Sequence, residues 1–215
     1  NNVLEVARLT GVQRVVYASS ISYYGPQWVH GDKVVTEDTP PNPPGLYGAL
    51  KLANEMVARR YREAYGVESC GIRITSAFGH GASVSSTTGW VRDVMSLPAI
   101  GRSVRVPVAP DSRFPLIYVD DVAEMFLLAT FAQEVSPIYL CGGYGVSTGE
   151  VVGIMKKYLP DAQVTFGDKP SHLVYLIDHG LAKQELGFEM PSLEQRILDH
   201  INEARTEVDL PAIAS

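Results

Sequence analysis

The chain is 215 residues long, 46% hydrophobic, and carries a formal net charge of -6. That apolar content supplies one sizeable core and excludes a disordered chain, and the length suits one domain or one and a half. No basic stripe exists to displace phosphate counterions, so nucleic acid is excluded as a partner, and no apolar run approaches the span of a bilayer, so no membrane partner is expected.

The chain opens on Asn1 to Gly11, a helical pattern ended by glycine, with no initiator methionine, signal peptide or preceding strand. It reads as a start inside a domain. Arg14 to Ala18 is a β-branched and aromatic run suited to a buried parallel strand. Ser19 and Ser20 follow at its carboxyl end, where open α/β sheets place ligands. Gly25 to Gly45, with Pro40, Pro41, Pro43 and Pro44, reads as a surface loop. Tyr47 to Tyr65 is the strongest helix, with Leu50, Ala53, Val57, Tyr61 and Ala64 as its apolar stripe and Gly66 closing it.

Val67 to Thr75 reads as the next strand. Gly79-His80-Gly81 and the Ser/Thr-rich Ser83 to Thr88 form an expected ligand-side loop before a helix near Trp90 to Leu97. Phe114 to Val119 is strand-like, and Asp120 and Asp121 cap a helix from Val122 to Phe131. Pro137 to Cys141 and Gln163 to Phe166 are further strands. Ser147 with Glu150 makes a capping box for a helix to Tyr158, and Ser192 with Gln195 opens the last helix. Cys70 and Cys141 lie in apolar runs, the pattern of buried reduced thiols, and the expected setting is the cytoplasm.

Two signals bear on chemistry. Tyr47 and Lys51 stand one helical turn apart and project from the same face. A tyrosine is a poor base at neutral pH, and a fixed cation nearby favours phenolates in general. A serine hydroxyl polarising the same substrate oxygen would complete a proton-transfer site for a carbinol or carbonyl. The rival signal is the glycine-rich turn Gly142 to Gly149 followed by Asp168, which imitates a dinucleotide fingerprint. Glu150 argues against it, because its charge in the first helical turn would repel a pyrophosphate. The five histidines, His30, His80, His172, His179 and His200, have no metal-ligand spacing, so no metal is expected.

Val15 to Gly25 with its Ser19-Ser20 pair, Tyr47-Gly48-Ala49-Leu50-Lys51 with Glu55, Gly71 to Gly79, and Tyr118-Val119-Asp120-Asp121-Val122-Ala123 together resemble, in order, the extended short-chain dehydrogenase/reductases, the NAD-dependent epimerase/dehydratase group. The resemblance implies an α/β fold: the later half of a Rossmann-like, doubly wound parallel sheet and a small C-terminal α/β substrate-binding portion. It places the later dinucleotide-binding half at residues 1–79 and the substrate portion at 80–215, with 114–136 returning to the Rossmann sheet. The glycine turn and ribose-binding acid of that family would precede Asn1.

By the same resemblance, Tyr47 is general base and acid, Lys51 assists it and bonds the nicotinamide ribose, and Ser20 holds the reacting oxygen while hydride passes between substrate and cofactor. Lys51, Tyr47, Ala18, Ser19 and Ile74 would contact NAD, with NADP left open. Ser20, Ser22, Ser76, His80 and Arg113 would contact a sugar-like or small polar substrate. Arg73 stands between a structural ion pair and a ligand contact. A homodimer built on the opening helix and the Tyr47 helix is implied as well. Alternatives are a nucleotide-sugar 4-epimerase and a catalytically silent binding fragment. Nucleotide-sugar 4,6-dehydration is not expected, because Ile21 and Ser22 stand where family dehydratases carry an Asp-Glu pair.

Overall fold

The computed structural model describes residues 2–81 and 89–214. Its elements in chain order are α1 (Asn2–Thr10), β1 (Arg14–Ser20), α2 (Leu46–Tyr65), β2 (Glu68–Ile74), β3 (Ser76–Phe78), α3 (Trp90–Ala99), β4 (Val104–Val108), β5 (Arg113–Tyr118), α4 (Val119–Phe131), β6 (Ile138–Leu140), β7 (Tyr144–Ser147), α5 (Thr148–Tyr158), β8 (Val164–Lys169), α6 (Gly180–Leu186) and α7 (Leu193–Thr206). Short 3₁₀ turns lie at Ile21–Tyr23 and Gln27–Val29. The chain divides into two compact units.

The first unit comprises residues 1–75, 120–143 and 172–189. Its sheet runs β1-β2-β6, all parallel, with Val16 opposite Cys70, Ser20 opposite Ile74 and Ile72 opposite Tyr139. β2 is the middle strand, and Ser69 to Arg73 are buried along it. Such burial on both faces fits a central parallel strand, and its buried polar side chains, Ser69 and Arg73, bond to the Ala58 carbonyl and to Glu55. On one side Leu4 and Ala7 of α1 pack with Ala58 and Val67, and Val15, Tyr17, Val57 and Tyr61 close over that cluster. A second cluster joins Ile21, Tyr23, Tyr24, Val35, Leu140 and Val174. α2 ends at Gly66, which takes the left-handed conformation at φ 67° and returns its N–H to the Arg62 carbonyl.

The second unit comprises residues 76–119, 144–171 and 190–215. β3 pairs parallel with β5, β5 pairs antiparallel with β7, and β4 pairs parallel with β8. Helices α3 and α7 bury Val91, Val94 and Met95 with Ile197, Leu198 and Ile201. Ser147 caps α5 and Ser192 caps α7, each accepting from the amide three residues on.

Several expectations meet a different structure. Of the stripe expected on α2, Leu50, Ala53 and Ala64 face outward, and the buried residues are Gly48, Glu55 and Ala58. Val57 and Tyr61 of the stripe do pack over the first cluster, as Leu52 does over the second, and an ion pair and a backbone contact share the inner face with them. Of residues 114–136, 120–136 lie in the first unit, whereas 114–119 lie in the second, where β5 pairs with β3 and β7; the strand that joins β2 is β6. Strands β3, β4 and β7 and helix α6 were not anticipated, and the Ser83 to Thr88 loop lies outside the described residues.

Candidate active site

The carboxyl end of β1 is tied to β2 through its last residue, Ser20 opposite Ile74, and the chain then winds into the 3₁₀ turn Ile21–Tyr23. Ser20 caps that turn: it is extended at φ -156° and its Oγ accepts the Ser22 N–H at 3.2 Å. The first turn of α2 lies directly on it. A Cβ on Gly48 would stand 2.3 Å from the Ser22 carbonyl oxygen and 2.9 Å from the Pro43 Cβ, so only glycine permits this approach.

On either side of Gly48 are Tyr47 and Lys51, the pair expected to serve in proton transfer. Lys51 Nζ donates to the Ala18 carbonyl at 2.9 Å and stands 5.6 Å from the centre of the Tyr47 ring. Tyr47 is 60% exposed, so its phenol is open to a ligand. Ala18, Ser20, Ser22, Tyr47 and Lys51 are thus gathered at one strand end. The donor set suits the nicotinamide end of NAD: an ammonium carries three N–H groups, and one on Ala18 leaves two for ribose hydroxyls.

Behind this edge lies a buried ion pair that sequence reasoning only half found. Arg73 is 3% exposed and Glu55 is 8% exposed. Arg73 donates to the two Glu55 oxygens at 3.0 and 2.8 Å, to the Glu37 carbonyl at 2.9 Å and to the Tyr24 hydroxyl, and its guanidinium lies 3.6 Å from the Tyr23 ring centre. Burial opposes the Arg73 charge, but Glu55 and Tyr24 outweigh it and hold its pKa above the usual guanidinium value. Arg73 is therefore a structural ion-pair residue. Ser19, expected at the cofactor, gives its hydroxyl to Glu55, so any cofactor contact it makes falls to its main chain. The signal for Glu55 was Arg73 itself, a charge inside an apolar strand that requires a partner.

Ile74, half-buried, closes β2. The other expected substrate residues belong to the second unit. Ser76 is buried at the start of β3. His80 has both ring nitrogens engaged, Nδ1 with Ser96 Oγ at 3.2 Å and Nε2 with the Glu207 carboxylate. Ser96 continues to the fully buried His200, whose Nε2 lies 2.7 Å away and whose Nδ1 has no hydrogen-bond partner among the described residues. Burial, then the charges of His80 and Arg92, push the His200 pKa down to about 3. Arg113 donates to the Gly145 carbonyl at 2.9 Å and lies 3.5 Å from the Glu150 carboxylate.

The glycine-rich rival does not resemble a dinucleotide turn. β7 intervenes between Gly142-Gly143 and α5, and Glu150 closes a capping box, its carboxylate accepting the Ser147 N–H at 2.6 Å. The helix start offers no free amide cradle of the kind a pyrophosphate needs. A groove of about 890 Å³ is lined by Leu127, Phe131, Val135 and Glu185 and contains none of the expected site residues. Cys70 and Cys141 are free and buried, and burial pushes their thiols up to about 12 and about 11. Among the described residues no group of three or more His, Cys, Asp or Glu could hold a metal ion, and no helix is long and apolar enough to cross a membrane.

The profile of the NAD dependent epimerase/dehydratase family matches residues 1–142. The chain belongs to that family. A uronate dehydrogenase of Pseudomonas putida is 31% identical over 171 residues, covering 68% of this chain and 63% of its own length. Other curated relatives are spanned far less completely: an uncharacterised 37.6 kDa protein of Escherichia coli, 31% identical over 132 residues, is covered over 36% of its length. In three dimensions the chain resembles L-threonine 3-dehydrogenase of Trypanosoma brucei, with a TM-score of 0.88 at 19% identity over 98% of this chain and 68% of that one. It also resembles UDP-glucose 4-epimerase of Thermus thermophilus in complex with NAD, with a TM-score of 0.81 at 24% identity over 95% of this chain and 68% of that one. These two likenesses establish the family's Rossmann-like α/β fold for this member.

Proposed function

We propose that this family member works in an NAD-dependent oxidoreductase or epimerase that acts at a carbinol carbon of a sugar-like or small polar substrate. The observation that carries the reading is Lys51, held on the Ala18 carbonyl beside the Tyr47 ring, at the strand end that Ser20 terminates. Ser20 Oγ holds the substrate oxygen by a hydrogen bond. Tyr47 takes the hydroxyl proton in oxidation and returns it in reduction. The Lys51 ammonium attracts the negative charge that develops on the Tyr47 oxygen, and its two remaining donors bind the ribose of NAD or NADP. A bound nicotinamide supplies the redox chemistry at the carbinol carbon. General acid-base transfer of this kind is worth roughly 10²–10⁴-fold in rate.

Ser22, Ser76, His80 and Arg113 remain the candidates for substrate recognition, and Ala18, Ser19 and Ile74 for cofactor contact. The likeness to uronate dehydrogenase supports a sugar acid as the first probe. The test is the full-length protein with NAD and, in turn, D-galacturonate, L-threonine and UDP-glucose. Reduction of NAD with one of the first two, or conversion of UDP-glucose to its 4-epimer, is expected; turnover of none contradicts the proposal.

The setting we propose is the cytoplasm, which the two free buried thiols favour. A homodimer is supported by the apolar outer faces of α1 and α2, where Val3, Val6, Leu9, Leu46, Leu50 and Met56 are exposed. Sedimentation of the full-length protein distinguishes a dimer from the monomer that would refute it.

A further inference from the structure

We infer that Glu55 is a positioning residue: paired with Arg73, it clasps both ends of the Ser20–Ser22 segment and sets the serine that faces substrate against the helix that carries Tyr47 and Lys51. The inference rests on the function proposed above, in which Ser20 holds the reacting oxygen.

The Ser20 side chain is held locally by one bond, from the Ser22 N–H to its Oγ. Its direction is therefore set by the backbone on either side. On the amino side, Ser19 is fixed because its hydroxyl donates to Glu55. On the carboxyl side, the Tyr23 ring lies under the Arg73 guanidinium at 3.6 Å, and the Tyr24 hydroxyl accepts from Arg73 while donating to the Thr36 carbonyl at 2.8 Å. Both anchors converge on one buried pair, Glu55 with Arg73 at 2.8 Å.

Glu55 stands one helical turn beyond Lys51 on α2, and Arg73 stands on β2 opposite Ser19. The clasp therefore joins the proton-transfer helix, the strand that ends in Ser20 and the turn that follows it. A buried ion pair is weak evidence for stability, because desolvation offsets most of its attraction. Its directional bonds are what an apolar pair could not supply, and here every one of them ends on a residue flanking Ser20 to Ser22 or on the loop that backs it.

The test is Ser19→Ala in the full-length protein, which removes one anchor, leaves the ion pair intact and strands no charge. Two readouts are taken: amide exchange at Ser22 and Tyr24, and turnover of D-galacturonate with NAD. The clasp predicts exchange about tenfold faster at these two amides with Cys70 and Ile72 unchanged. It predicts kcat lower by about tenfold with KM nearly constant, and recovery of both in Ser19→Thr, which keeps the hydroxyl. Unchanged exchange, or a rise in KM with kcat intact, overturns the inference. If the wild type turns over no probe, the functional reading fails, and the exchange readout still decides the clasp.

Discussion

Gly48 lies so close to Ser22 that a Cβ on it would meet the Ser22 carbonyl oxygen at 2.3 Å. This contact seats the first turn of α2 on the turn that follows Ser20, and it explains why a poor helix former occupies that turn. Gly48→Ala gains about 1 kcal/mol of helix propensity, yet the backbone clash should reverse the sign. Denaturant unfolding is expected to show a net loss of about 1–3 kcal/mol, the usual cost of overpacking. A variant as stable as the wild type would mean that the two backbones are not in contact.

His200 predicts a pH dependence of stability. Its folded pKa is lowered to about 3 by burial, against 6.5 for the unfolded chain. The unfolded state therefore binds the extra proton between these values, and the native state loses stability as pH falls through that window. Above pH ~6.5 the neutral form costs nothing; at pH ~5 the loss amounts to about 2 kcal/mol. His200→Phe keeps a ring against Phe78 and removes the proton site, so the stability difference between pH 7 and pH 5 should shrink by about that amount. Denaturation at both pH values checks it, and equal pH sensitivity in the two proteins would contradict the buried neutral histidine.

The 215-residue chain should bind NAD weakly. On the proposed reading only Lys51 would meet the nicotinamide ribose; the sequence holds no TGxxGxxG turn, and the amide end of α5 is closed by Glu150. Calorimetry with NAD is expected to give no binding tighter than millimolar. Micromolar affinity would promote the Gly142 to Gly149 turn from decoy to site.

The sequence announced β1, its terminal serines, the Tyr47 helix and the capping boxes of α5 and α7, because each has a local signature in β-branching, helical spacing or cap chemistry. It misdirected the inner face of α2. Leu50, Ala53 and Ala64 look like a core stripe, but Glu55 must reach Arg73 and Gly48 must touch Ser22, and neither demand shows in a count of apolar side chains. β4 was hidden by Pro107 within a five-residue strand, and β7 by its glycine-rich setting. The partner of β5 was hidden for another reason: pairing is a non-local choice, and Phe114 to Tyr118 suits either sheet. His80 drew attention as a loop histidine, whereas its bonds to Ser96 and Glu207 depend on helices distant in sequence.

Tyr47→Phe in the full-length protein tests the central claim most directly. The phenol hydroxyl is a proton carrier with little contact area, so its loss should leave NAD affinity nearly intact while turnover of the accepted substrate falls by about 10²-fold or more. Lys51→Ala, by contrast, should weaken both, since its ammonium serves the ribose as well as the phenol. Retention of more than about a tenth of wild-type turnover in Tyr47→Phe would contradict general acid-base catalysis by this residue.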